Sequence, residues 1–226
     1  PYAALPNLGV LSSAQIADEA RREAKAVADE ARLRVAKEGR PCPLYPAGLL
    51  VPFLAVGLGV VLPASQLVRG DGAAAAVVEC REGWPSIGAV LGSRGDDILL
   101  RLPGLGRGAP NVLSMEGTQV FKFAVETVPA CMDATLKKAV LTPADIDFFV
   151  FHQANARIID LAVRKYRIPP EKYYKNIDRY GNTAAASVPL VLSELVEQGR
   201  VGPGSRLLLT AFGGGLTWGG AVLEMA

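Results

Sequence analysis

One histidine occurs among 226 residues: His152, in Phe149-Val-Phe-His-Gln-Ala-Asn-Ala-Arg157, where an apolar run breaks into polar side chains. Thirty residues later Asn182 follows a glycine in Tyr180-Gly-Asn-Thr-Ala-Ala-Ala-Ser187. A neutral imidazole and a carboxamide held together can donate hydrogen bonds to a developing enolate or oxyanion, which is what carbon–carbon bond chemistry on thioesters requires. Each residue also has a plainer reading. A lone histidine in an α/β protein is commonly structural, and an asparagine after glycine commonly caps a turn or helix. Position favours chemistry for His152, because open α/β sheets place ligands at the C-terminal ends of their strands. Gln153, Asn155 and Arg157 follow directly. Gly213 to Gly215 is either an ordinary hairpin turn or a place where backbone N–H groups approach a substrate as an oxyanion hole.

The elements that must position these groups follow from pattern. Thr142-Pro-Ala-Asp145 opens a helical turn, and residues 146–151 read as an apolar strand ending at His152. A helix is expected over 156–166, a strand-like piece ending at 176–180, and a helix over 187–198 closed by Gly199. Two antiparallel strands, 205–211 and 216–225, finish the chain around a glycine turn. Upstream, Val120, Phe121, Ala124, Val125, Val128 and Met132 recur near a helical period, with Pro129 expected to kink or restart the helix. Residues 82–111 read as loops around short strands, 98–102 among them, and 73–79 reads as a strand. Residues 14–37, rich in Ala, Glu, Arg and Lys after Ser12 and Ser13, read as a solvated surface helix. Strands alternating with helices predict an α/β layered fold, helices packed on a mixed sheet.

Composition bounds the class. Half the residues are hydrophobic and the net charge is +2, with basic and acidic residues interspersed, so no nucleic-acid footprint is indicated. Cys42, Cys80 and Cys131 lack metal-ligand spacing and fit a reduced, cytosol-like compartment. The first residues carry no basic stretch ahead of an apolar core, so no secretory signal is expected. Residues 41–68 are uncharged, but Pro46, Pro52 and Pro63 with three glycines divide them into strand-length pieces, which favours buried strands over a membrane span.

From Gly70 onward the motifs combine. Gly70-Asp-Gly72, Met115-Glu-Gly-Thr-Gln-Val-Phe-Lys122, His152-Gln-Ala-Asn155, Asp178-Arg-Tyr-Gly-Asn-Thr183, Ala185-Ala-Ser187 and Ala211-Phe-Gly-Gly-Gly-Leu-Thr-Trp-Gly219 together resemble the β-ketoacyl-[acyl carrier protein] synthase III family. These are condensing enzymes of the thiolase-like superfamily that start bacterial and plastid fatty-acid synthesis. The resemblance implies a thiolase-like layered fold, a cytoplasmic or plastid homodimer, and decarboxylative Claisen condensation of acyl-CoA with malonyl-acyl carrier protein. It implies no resident cofactor or metal, the substrates being coenzyme A and phosphopantetheine thioesters. By resemblance His152 and Asn182 bond the malonyl thioester carbonyl, Gly214 helps bind the oxyanion, and Phe212 stands beside the reaction centre. Gly117, Ala154 and Asn155 match positions along the pantetheine arm. Lys122, Arg157, Arg164 and Lys165 match positions that dock the acidic carrier protein; their plain alternative is a solvated face.

The family's nucleophile, a cysteine in an Ala-Cys-Xaa-Gly-Phe motif of the first half, has no counterpart upstream. Cys42 in Arg40-Pro-Cys-Pro-Leu44 is the upstream candidate, because Pro43 could open a helix with the thiol at its N-terminus. Cys80 and Cys131 read as core. Residues 1–69 are accordingly expected to be a divergent or truncated segment, or the product of a shifted reading frame, and 70–226 the catalytic C-terminal half. The alternative function is a carrier-protein-binding fragment without condensing activity.

Overall fold

The computed structural model describes residues 51–57, 72–78, 88–101 and 114–225. The expected helix over 14–37, Cys42 and Cys80 lie outside the described residues. Four strands form the central sheet in the order β3, β8, β7, β6: β3 is Ala89–Asp96, β6 Phe148–Phe151, β7 Arg206–Gly213 and β8 Gly215–Glu224. β6 and β7 are parallel, while β7–β8 and β8–β3 are antiparallel, so the sheet is mixed as expected. Two small antiparallel pairs stand apart, β1 (Val51–Gly57) with β2 (Gly72–Val78) and β4 (Leu100–Arg101) with β5 (Ser114–Met115). The apolar zone thus contains a strand at its centre. Among the described residues no helix is long and apolar enough to cross a membrane.

Among the described residues four α-helices accompany this frame: α1 (Gly117–Ala139), α2 (Ala156–Tyr166), α3 (Ile177–Tyr180) and α4 (Ser187–Glu197). The fully buried run Phe148–Phe151 shows why the sheet is covered on both faces. Phe149 and Phe151 pack with Val128, Met132 and Leu136 of α1 and Ile158, Ile159 and Val163 of α2. Phe148 and Val150 pack with Val191 and Leu195 of α4, on the opposite side. Alternate residues of a strand face opposite ways, so a strand apolar at every position needs a helix layer on each side. Burying each such phenylalanine contributes roughly 1.5–3 kcal/mol.

Three expectations are corrected. Pro129 does not restart α1, which runs 23 residues through it. The helix is held by Val120, Ala124, Val128, Met132 and Leu136, four residues apart and all buried, and Tyr166 donates from α2 to the Pro129 carbonyl at 2.7 Å. The segment ending at 176–180 is not a strand: Tyr173 makes one isolated bridge to Phe149, and residues from Ile177 to Tyr180 coil into α3. Within 82–111, read as loops around short strands, the largest described element is the eight-residue β3, whose Gly92, Ser93, Arg94 and Gly95 hide the strand pattern. Ile98 and Leu99 are not strand residues, since their N–H groups both bond the Asp96 carboxylate, at 3.0 and 2.9 Å.

Candidate functional site

His152 follows β6 at the C-terminal end of the parallel pair. Its N–H bonds the Thr210 carbonyl at 2.8 Å, carrying the ladder one residue beyond the strand. Its imidazole Nδ1 lies 2.6 Å from Ser187 Oγ, and the same oxygen accepts the Gln153 N–H at 3.2 Å. The Phe212 ring meets the imidazole edge-on at 5.3 Å and 75°, and Phe123 meets Phe212 in turn at 6.3 Å. The imidazole is therefore clamped between a hydroxyl and an aromatic wall.

Gln153 turns inward and is 1% exposed. Its amide donates to the Phe151 carbonyl at 2.8 Å and its oxygen accepts the Asn176 N–H at 3.2 Å, which staples the 173–176 segment to the histidine turn. Asn182 sits beyond that segment. Its Oδ1 accepts the Ala184 N–H at 3.0 Å, in a turn where Ala184 has φ of 49°. The turn-capping reading of Asn182 is observed: the oxygen caps the turn, and that bond leaves the carboxamide NH2 group as the remaining donor. Asn155 likewise caps α2, accepting the Arg157 N–H at 2.9 Å.

The Asn182 turn is anchored by Glu194 of α4. Its carboxylate accepts from Asn176 Nδ2 at 3.1 Å, from Arg179 at 2.7 Å and from the Tyr180 hydroxyl at 2.8 Å. Burial raises the Glu194 pKa, but these donors outweigh it and hold the group below its ordinary value of 4.5. A depressed folded pKa adds stability that is complete above the unfolded value and lost as pH falls through the folded one. Glu194→Gln, which keeps an acceptor but no charge, is expected to be about 1 kcal/mol less stable than the parent at neutral pH. Urea denaturation across pH should show that gap closing below about pH 4; a constant gap would contradict the assignment.

One cavity of about 620 Å³ collects most of the sequence-derived residues: Gly117, His152, Ala154, Asn155, Asn182, Phe212 and Gly214 all line it. Gly214 stands at the β7–β8 hairpin, where Thr217 Oγ1 donates to its carbonyl at 3.0 Å. Apolar walls come from Val120, Phe121, Ile158, Val188 and Trp218. Lys122, Arg157, Arg164 and Lys165 are not brought into the cavity; they are exposed on α1 and α2. Arg164 Nε bonds the Asp160 carbonyl at 3.1 Å and Lys165 lies over the Tyr166 ring. Cys131 is buried, with a thiol pKa pushed up by that burial, as a core residue rather than a nucleophile. Sequence reasoning named Gln153 without its inward turn, and missed Glu194 and the Ser187 bond. The available signal for the first and last was a polar residue inside an otherwise apolar or small-residue run.

Residues 136–225 match the family model described as 3-oxoacyl-[acyl-carrier-protein (ACP)] synthase III C terminal. The β-ketoacyl-[acyl-carrier-protein] synthase III of Fusobacterium nucleatum is 41% identical over 169 residues, covering 70% of this chain and 52% of that protein. The synthase III 2 of Deinococcus radiodurans is 42% identical over 194 residues, 79% of this chain and 57% of its own length. The crystal structure of β-ketoacyl-[acyl carrier protein] synthase III from Thermus thermophilus is similar at a TM-score of 0.71 and 35% identity, over 96% of this chain and 66% of that one. The chain spans about half the length of the curated relatives it matches.

Proposed function

We propose, from the premise that this chain belongs over residues 136–225 to the 3-oxoacyl-[acyl-carrier-protein] synthase III family as its C-terminal part, that it condenses acyl-CoA with malonyl-acyl carrier protein. The observation that carries this reading is the shared cavity, where the His152 imidazole, the Asn182 carboxamide and the Gly214 backbone line one space. In the reading the malonyl thioester places its carbonyl oxygen against His152 and Asn182. The bond to the carboxylate breaks, carbon dioxide leaves, and the electron pair moves through the α-carbon onto that oxygen. Two donors aimed at the oxygen stabilise the enolate more than the ground-state carbonyl, which is what lowers the barrier. The enolate carbon then attacks an acyl group held as a cysteine thioester, and the tetrahedral oxyanion rests on the Gly214 N–H before the thiolate departs.

A cavity of about 620 Å³ suits the thioester end of a pantetheine arm, which enters past Gly117, Ala154 and Asn155. Cys42 remains the candidate acyl carrier within this chain. The reading includes a cytoplasmic homodimer and no resident cofactor. Its test is intact mass after incubation of the full chain with acetyl-CoA, then product formation with malonyl-carrier protein. An acetyl adduct mapped to a cysteine supports condensation; decarboxylation without an adduct reduces the chain to a carrier-protein-binding decarboxylase.

The carrier protein's surface is acidic in this reading. Arg157 and Arg164 are exposed on α2, seven residues apart and so about 10 Å along one helix face. Reversing both charges, Arg157→Glu with Arg164→Glu, is expected to weaken carrier binding at least about tenfold and to flatten its salt dependence. Titration at two ionic strengths checks this; unchanged binding would return these residues to a solvated face.

A further inference from the structure

We propose that Ser187 is a positioning residue that fixes the tautomer of His152, holding the proton on Nε2 so that the imidazole enters the reaction as a hydrogen-bond donor. The proposal deepens, and rests on, the reading of His152 as a donor to the thioester oxygen. Its basis is a count of protons around one buried oxygen. Ser187 is 1% exposed and is the first residue of α4. Its Oγ has two neighbours, the Gln153 N–H at 3.2 Å and His152 Nδ1 at 2.6 Å. A hydroxyl offers one proton and two lone pairs. The Gln153 N–H can only donate, so it occupies a lone pair.

The remaining choice lies at Nδ1. With the proton on Nδ1, the serine oxygen would accept twice, and its own proton would face a buried surround that offers no other bond to Ser187 among the described residues. With the proton on Nε2, the serine O–H donates to the Nδ1 lone pair, and all three groups are satisfied. Orphaning a buried donor shifts such an equilibrium about tenfold or more. The Phe212 ring packed edge-on holds the imidazole plane while the serine selects its proton. A hydroxyl at this place also differs in kind from a carboxylate. A carboxylate would accept from Nδ1–H and leave Nε2 as a general base. Decarboxylation needs no base, because no proton is removed in the step; it needs an N–H where negative charge accumulates.

His152 is the one histidine in the chain, so a nitrogen-15 spectrum of histidine-labelled protein reads this residue alone. Long-range proton–nitrogen correlation at a pH where the ring is neutral should show the full chain as a single Nε2–H tautomer. In Ser187→Ala the nitrogen shifts should depart from the parent pattern toward a larger Nδ1–H share, and in Ser187→Thr, which keeps the hydroxyl, return to it. Malonyl-CoA decarboxylation should fall about tenfold in kcat for Ser187→Ala with little change in KM, and recover in Ser187→Thr. An Nδ1–H tautomer in the parent, or a Ser187→Ala spectrum identical to the parent's, overturns the proposal. The parent spectrum alone can overturn it even if Ser187→Ala does not fold. The Nε2–H tautomer in a chain that decarboxylates nothing would support the assignment made to Ser187 and remove the functional reading instead.

Discussion

Replacing His152 with alanine should lower malonyl-thioester decarboxylation by about 10²–10³-fold, the loss typical of removing one preorganised donor from a developing oxyanion, or about 2.7–4 kcal/mol of transition-state stabilisation. The size follows from what surrounds the ring. Phe212, Val188 and Trp218 line the same cavity, and in an apolar setting a donor fixed by Ser187 and Phe212 needs no reorganisation when charge develops. Asn182 remains in the variant, so some catalysis above background survives. In the proposed reading carrier protein docks on the outer surface of α1 and α2, so its binding should be unaffected. Release of labelled carbon dioxide from malonyl-CoA measures the first effect and titration of carrier protein the second. Equal decarboxylation by variant and parent would refute the donor role. A loss confined to carrier binding would move His152 from chemistry to docking.

What the sequence disclosed about this site follows a physical line. Phe148–Phe151 and α2 could be read because both are local: an unbroken apolar run, then a polar break, then an asparagine cap and a helix whose buried positions recur at helical spacing. β7 and β8 were legible through the glycines that join them. The failures are non-local. α3 carries Ile and Tyr, which lean toward strand, yet Tyr180 and Arg179 are drawn to Glu194, fourteen and fifteen residues away. Pro129 suggests a kink or a restart, and the restart is overruled by a buried face held on both sides of it, which keeps α1 continuous. The Ser187–His152 bond spans 35 positions. A motif can be quoted without revealing that its last serine touches the histidine of another, because only the packing of α4 beside β6 brings them together.

Gly220→Ala is expected to cost about 2–3 kcal/mol of stability, at the upper end for an added methyl, because its obstacle is rigid. Gly220 is not among the residues with positive φ, so room rather than backbone conformation demands glycine here. A Cβ at this position would be driven into Thr135 Oγ1 and would stand 3.0 Å from Cys131 Sγ and 3.3 Å from Thr135 Cβ. Thr135 is fully buried and its hydroxyl is tied to the Cys131 carbonyl at 2.7 Å, so no flexible side-chain end can yield. Gly220 cannot retreat either, being paired with Thr210 on one side and Val90 on the other. The strain must lift α1 from the sheet. The start of that helix carries Gly117, Val120 and Phe121 of the cavity wall, and Phe123 braces Phe212 against His152, so the site loosens with the core. Thr135→Ala alone should cost about 1 kcal/mol for its lost hydrogen bond. Placed in the Gly220→Ala background it removes the atom struck first, so it should restore stability instead, a coupling of at least about 1 kcal/mol. Urea denaturation of the four chains measures that coupling. Additive costs would mean that the sheet and α1 have another way to accommodate the methyl, and that the close approach of α1 to β8 does not hold the aromatic wall behind His152.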